Sequence, residues 1–124
     1  MRMRPLRLGL WLPPVALMGV IFALSAQPSL DSGLGVIDLV GRKLIHVGSY
    51  ALLCFLWWRP LATMTNPRRA AVLAFVIASA YAVTDEYHQS FVGGRHGTAI
   101  DWLIDSAGAA LAALRLRAPR RVAA

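Results

Sequence analysis

From Leu8 to Leu30 the chain carries no charged residue, and three later stretches, Leu44–Met64, Pro67–Gln89 and Thr98–Leu116, are also poor in charge. Each is about long enough, at roughly 1.5 Å per residue of helix, to cross a hydrocarbon core of about 30 Å. With 57% hydrophobic and only 15% charged residues in 124, too little polar surface remains to solvate a small globule. The expected fold is therefore all-α, a polytopic membrane four-helix bundle forming one domain over residues 1–124. Its spans fall at approximately 8–26, 44–64, 67–89 and 98–116, with a polar cluster at the outer helix ends.

A net charge of +7 would invite nucleic acid as a partner in a soluble protein, but here the basic residues sit at segment ends. Orientation in a membrane explains them better, because Lys and Arg are retained on the cytoplasmic side during insertion. Arg2, Arg4 and Arg7 precede the first stretch, Arg59, Arg68 and Arg69 lie between the second and third, and Arg115, Arg117, Arg120 and Arg121 follow the fourth. Only Arg42, Lys43 and Arg95 belong to the other two connections. This split places both termini in the cytoplasm and the Asp85–Asp105 hairpin outside. A cleaved signal peptide is a rival reading of the first stretch, since Ala23, Ser25 and Ala26 imitate a cleavage site after an Arg-rich start. Cys54 is the single cysteine and lies inside the second stretch, so no intramolecular disulfide forms.

Between the first two spans, Ala26–Gly41 reads as an outer connection, either an irregular loop or a short interfacial helix with Leu30, Leu34 and Ile37 on one side. The second span carries Lys43, His46, Tyr50, Leu53 and Trp57 at intervals of three and four, which is the seam by which a helix packs on its neighbours. Asn66-Pro67 is a helix start, with Asn as cap and Pro at the first position. Ala70, Ala74, Ala78 and Ala82 follow at intervals of four, and small side chains in such a row let helices approach closely. Extending that face reaches Asp85, Glu86 and Gln89. In the fourth span Asp101, Asp105, Gly108 and Ala112 share a face, so both carboxylates point into the bundle. Ionisable groups at such depth cost several kcal/mol unless paired or hydrated. The available partners are Lys43, His46, His88, Arg95 and His96, and Gly93, Gly94 and Gly97 permit a sharp reversal in between.

In this order and spacing, four motifs carry a resemblance over nearly the whole chain. They are Ser25-x-Gln27-Pro28, Lys43-x-x-His46-x-x-x-Tyr50, Asp85-Glu86-x-x-Gln89-x-Phe91 with Gly94-Arg95, and Asp101-x-x-x-Asp105-x-x-Gly108. The chain resembles the VanZ-like family of small bacterial integral membrane proteins. It departs from the family pattern at Arg42, where an acid is frequent, at Gly93, where Pro is frequent, and at Asp105, where Asn is frequent. The resemblance implies a multi-pass protein of the bacterial cytoplasmic membrane, associated with the cell envelope and, through the family's namesake, with teicoplanin resistance. It supplies no reaction.

Three functional readings follow. In the first, an outer-face acidic and basic site binds an envelope lipid, glycan or glycopeptide-related ligand, with Lys43, His46, Tyr50, Gln89, Arg95 and Asp105 as the binding residues. In the second, the protein is an enzyme acting on a lipid-linked envelope substrate, with Glu86 or Asp85 as general base and Asp101 as acid. In the third, the same groups are a buried charge network that fixes helix register. No cofactor is implied. No His-x-x-x-His or Glu-x-x-His spacing occurs, so no dedicated metal site is expected, and no serine sits in a nucleophile elbow. The expected partners are membrane lipids and a lipid-linked or anionic envelope ligand, and not nucleic acid.

Overall fold

A computed structural model of the protein describes residues 8–25, 36–89 and 99–117, apart from the side chains of residues 25, 36, 38, 39, 89 and 99–101. The described residues form four helices and no strand: α1 (Leu8–Ser25), α2 (Val36–Leu61), α3 (Pro67–Gln89) and α4 (Ala99–Leu116). Three of the four expected segments match a helix within a residue or so at most ends. The second differs. Residues 36–41, read above as connection, are already helical, and α2 ends at Leu61 in a hydrogen-bonded turn, with Met64 N donating to Leu61 O at 3.0 Å. The physical reason is that a charge-based boundary marks where a helix becomes apolar, whereas Arg42 and Lys43 lie inside α2. The remainder of the first connection, residues 26–35, is outside the described residues.

Asn66 opens α3 as its sequence position requires. Its Oδ1 accepts a hydrogen bond from Arg69 N at 2.8 Å, satisfying one of the amides that a helix start leaves without a partner. Trp58 Nε1 donates to Pro67 O at 3.1 Å and ties the end of α2 to the start of α3. Asn66→Ala is expected to cost about 1 kcal/mol, read as a lowered denaturation midpoint of the detergent-solubilised protein with secondary-structure content unchanged.

Side-chain contacts fix the helix directions. Trp11 meets Trp57, and Trp58 meets Pro67, so consecutive helices α1, α2 and α3 run in opposite senses. Tyr81 donates to Met18 O while His88 stacks on Phe22, so α1 and α3 run in the same sense. His46 meets Asp105 while Val47 meets Gly108, and α2 and α4 therefore also run together. The bundle alternates up and down. The start of α1 and the end of α4 share one end with Arg59, Arg68, Arg69, Arg115 and Arg117, and Asp85, His46 and Asp105 lie toward the other.

Packing is built on small residues. Ala70, Ala74, Ala78 and Ala82 are fully buried, as the spacing predicts, and the last three share a core with Ile21, Tyr50, Leu53, Cys54 and Ala109. At Gly108 an added Cβ would collide with the backbone carbonyl of Val47, so the absence of a side chain is what lets α4 lie this close to α2. Large apolar side chains instead face outward on every helix, among them Leu12, Phe22, Leu52, Phe55, Val76 and Leu111. A water-soluble bundle has the opposite pattern, with its large apolar side chains inside. By length and composition, one helix among the described residues, Pro67–His88, is long and apolar enough to cross a membrane, and Leu8–Leu24 is a shorter apolar helix.

Candidate functional site

The end of the bundle remote from the Arg-rich end encloses a polar cluster. Asp85 lies four residues before the end of α3 and Asp105 six residues into α4, which places them about 6 and 9 Å along their helices from those ends. Asp85 is 2% exposed and Asp105 1%. His46 reaches across from α2, its Nδ1 at 3.2 Å from Asp105 Oδ1. One turn further along the same seam, the buried Tyr50 donates its hydroxyl to Asp85 Oδ2 at 3.3 Å. Three helices thus converge on one cluster, and donor atoms of His46, Asp85 and Asp105 lie within 4.8 Å of one another.

The helix periodicity explains why these four residues meet. On α2 the interval from His46 to Tyr50 is one turn, so both rings point into the interior, as do Leu53 and Trp57 further along. On α3 Asp85 follows Ala78 and Ala82 on the face that approaches the other helices. On α4 Asp105 is one turn ahead of Ala109 and three residues ahead of Gly108, whose contact with Val47 brings the His46 turn within reach.

Below the cluster, a second polar layer joins α3 to α4. Ser79 Oγ and Ser106 Oγ are 3.0 Å apart, and Trp102 Nε1 donates to Ser79 O at 3.1 Å. The sequence reading did not assign these residues to the site. The signal was present, since Ser79 falls next to Ala78 on the packing row and Ser106 next to Asp105.

Other expected residues are placed as follows. Lys43 is half-buried on α2, one turn before His46, and Glu86 is half-buried beside Asp85. Asp101 lies on α4 one turn before Asp105, and Gln89 ends α3, but their side chains are outside the described residues. Arg95 and His96 are also outside them. His88 is turned to α1, its ring stacked on Phe22 at 4.2 Å between centroids. Among the described residues, His46 pairs with Asp105.

Tyr50→Phe is expected to cost about 2 kcal/mol, because it withdraws a hydroxyl from a buried carboxylate and offers nothing in return. Denaturant unfolding in detergent checks this, and a loss below roughly 0.5 kcal/mol would show that Asp85 does not depend on Tyr50.

The chain, whose described residues form four helices with acids and a histidine enclosed at one end of a small-residue bundle, matches the VanZ/LLP1 family model over residues 10–118. The chain belongs to the VanZ/LLP1 family. Comparisons with curated proteins and with solved structures find no match.

Proposed function

We propose that this protein is a multi-pass membrane protein of the bacterial envelope that binds an anionic, hydroxyl-bearing headgroup at the outer end of its bundle, as a lipid-linked saccharide would present. The observation that carries the reading is the inverted distribution of polarity: Asp85 and Asp105 are enclosed with His46 and Tyr50, while large apolar side chains cover the outside of all four helices. Charged groups are costly in such surroundings, and in membrane proteins they mark ligand and ion sites. Carboxylates accept hydrogen bonds from sugar hydroxyls, and Lys43 supplies positive charge for a phosphate or carboxylate; Arg95, outside the described residues, is expected from the sequence to add to it.

Segregation of basic residues supports the orientation. Arg59, Arg68, Arg69, Arg115 and Arg117 belong to the end opposite the cluster, which corresponds to a cytoplasmic face under the retention of Lys and Arg. Cysteine introduced at Ser90 or Thr98 is expected to react with an impermeant maleimide in intact cells, and cysteine at Thr65 only after permeabilisation. Cys54 is buried and supplies no background. Labelling at Thr65 alone would overturn the orientation.

An enzymatic reading has no separate observation in its favour. The close pairing of His46 with Asp105 does favour a structural network, and the two are separated by ligand binding: a network alone stabilises the bundle and retains no headgroup.

A further inference from the structure

The enclosed cluster has the chemistry of a cation site, one that spacing within any single segment could not reveal. We propose that His46, Asp85 and Asp105 bind one divalent transition-metal cation of the zinc or manganese class. The three residues come from α2, α3 and α4, and each offers a donor atom within 4.8 Å of the others. Two ligands on one such cation stand roughly 3–3.5 Å apart, given metal–ligand distances of about 2.0–2.2 Å. His46 Nδ1 and Asp105 Oδ1, at 3.2 Å, already stand at that separation. Asp85 lies within 4.8 Å of both, and would complete the set by turning its carboxylate about the oxygen that Tyr50 holds.

A second, independent observation is the state of Asp105. Its side chain is 1% exposed and its carboxylate faces the cluster through Oδ1, yet among the described residues Oδ2 has no hydrogen-bond partner. A buried carboxylate oxygen without a partner is costly, and a cation held by both oxygens of Asp105 would satisfy it. With neutral His46, two carboxylates balance the charge of a divalent ion, which makes the site neutral at a depth where net charge is unfavourable. Imidazole favours zinc over magnesium, and the two carboxylate oxygens also suit manganese.

Two features would hold the ligands in place. Tyr50 donates to Asp85 Oδ2 at 3.3 Å and so orients that carboxylate, as hydrogen bonds commonly do for metal-ligating groups. Gly108 against Val47 sets the distance between the helices that carry His46 and Asp105. Three protein ligands leave a coordination position open. On the headgroup reading above, an anionic oxygen would occupy it, so an acidic cluster becomes a site for an anion.

The test uses the full chain purified in detergent without added ligand. Metal content is measured by plasma mass spectrometry after gel filtration in zinc- or manganese-supplemented buffer, and melting temperature is followed through EDTA treatment and readdition of Zn²⁺, Mn²⁺ or Mg²⁺. We expect close to one equivalent of zinc or manganese per chain, a fall in melting temperature with EDTA, and recovery with Zn²⁺ or Mn²⁺ but not with Mg²⁺. Asp105→Asn, which keeps size and hydrogen-bonding capacity, is expected to fold, to bind more than roughly 10-fold more weakly, and to melt independently of EDTA. Cobalt substitution gives a visible absorption band in the parent that His46→Gln loses. Metal-free protein whose melting temperature no cation changes would overturn the proposal, as would equal metal content in the parent and Asp105→Asn. Metal bound without any retained headgroup would overturn only the ligand reading, and headgroup retained in metal-free protein would overturn only the cation site.

Discussion

His46→Ala is expected to remove about 3–5 kcal/mol of stability, a large share of what a domain of this size possesses. The substitution strands Asp105, whose carboxylate is 1% exposed and whose other oxygen already has no partner among the described residues. Asp105→Ala is expected to cost less. It strands His46 instead, and that ring remains 30% exposed and can reach water or a headgroup. The double variant is expected to regain part of the loss, because it removes the stranded acid together with its partner. All three are compared by unfolding in detergent with chelator present, so that cation binding does not enter. Equal costs for the two single variants, or strict additivity in the double, would show that the pair is not coupled through burial.

Gly108→Val is expected to cost about 3 kcal/mol, at the upper end of what overpacking brings. Even a single Cβ collides with the carbonyl of Val47, and backbone cannot move aside as a flexible side chain does. A branched side chain adds to the collision, so α4 must withdraw from α2. His46 and Asp105 then separate, and the polar cluster loosens along with the packing. Gly48, by contrast, has nothing within 4 Å of an added Cβ, so Gly48→Ala is the matched control and is expected to be neutral or slightly stabilising. Unfolding midpoints of the two variants, measured side by side, read the difference. Similar midpoints would mean that the close approach at Gly108 is not needed.

The helices were legible because four charge-poor stretches are each about long enough to cross a membrane, and small residues at intervals of four mark the inward face of one of them. Ala70, Ala74, Ala78 and Ala82 define one face by spacing alone, and that face is buried; Asn66-Pro67 marks the start of α3 by its own chemistry. The inward faces of Tyr50, Asp85 and Asp105 were legible from their place on those helices, and all three are buried. Partner choice was not. Spacing along a helix fixes direction around its axis but not the level at which one helix meets another, and here that level depends on the contact of Gly108 with Val47. Hence His46 could not be told from Lys43 or His88 as the group beside Asp105. The grouping of His46, Asp85 and Asp105 was hidden for a related reason, since its members come from three helices. The start of α2 was misplaced because Arg42 and Lys43 interrupt the apolar run without interrupting the helix.

The central claim, that the enclosed cluster holds an envelope headgroup, is tested most directly by native mass spectrometry of the protein purified from its own membranes. The parent and Arg117→Ala, whose substitution lies at the opposite end of the bundle, are expected to retain the same lipid-linked adduct when released from the micelle. Expression-matched Lys43→Ala, which removes the positive charge assigned to the headgroup, is expected to lose it while remaining folded by circular dichroism. Identical adducts on all three proteins, or none on the parent, would contradict the account.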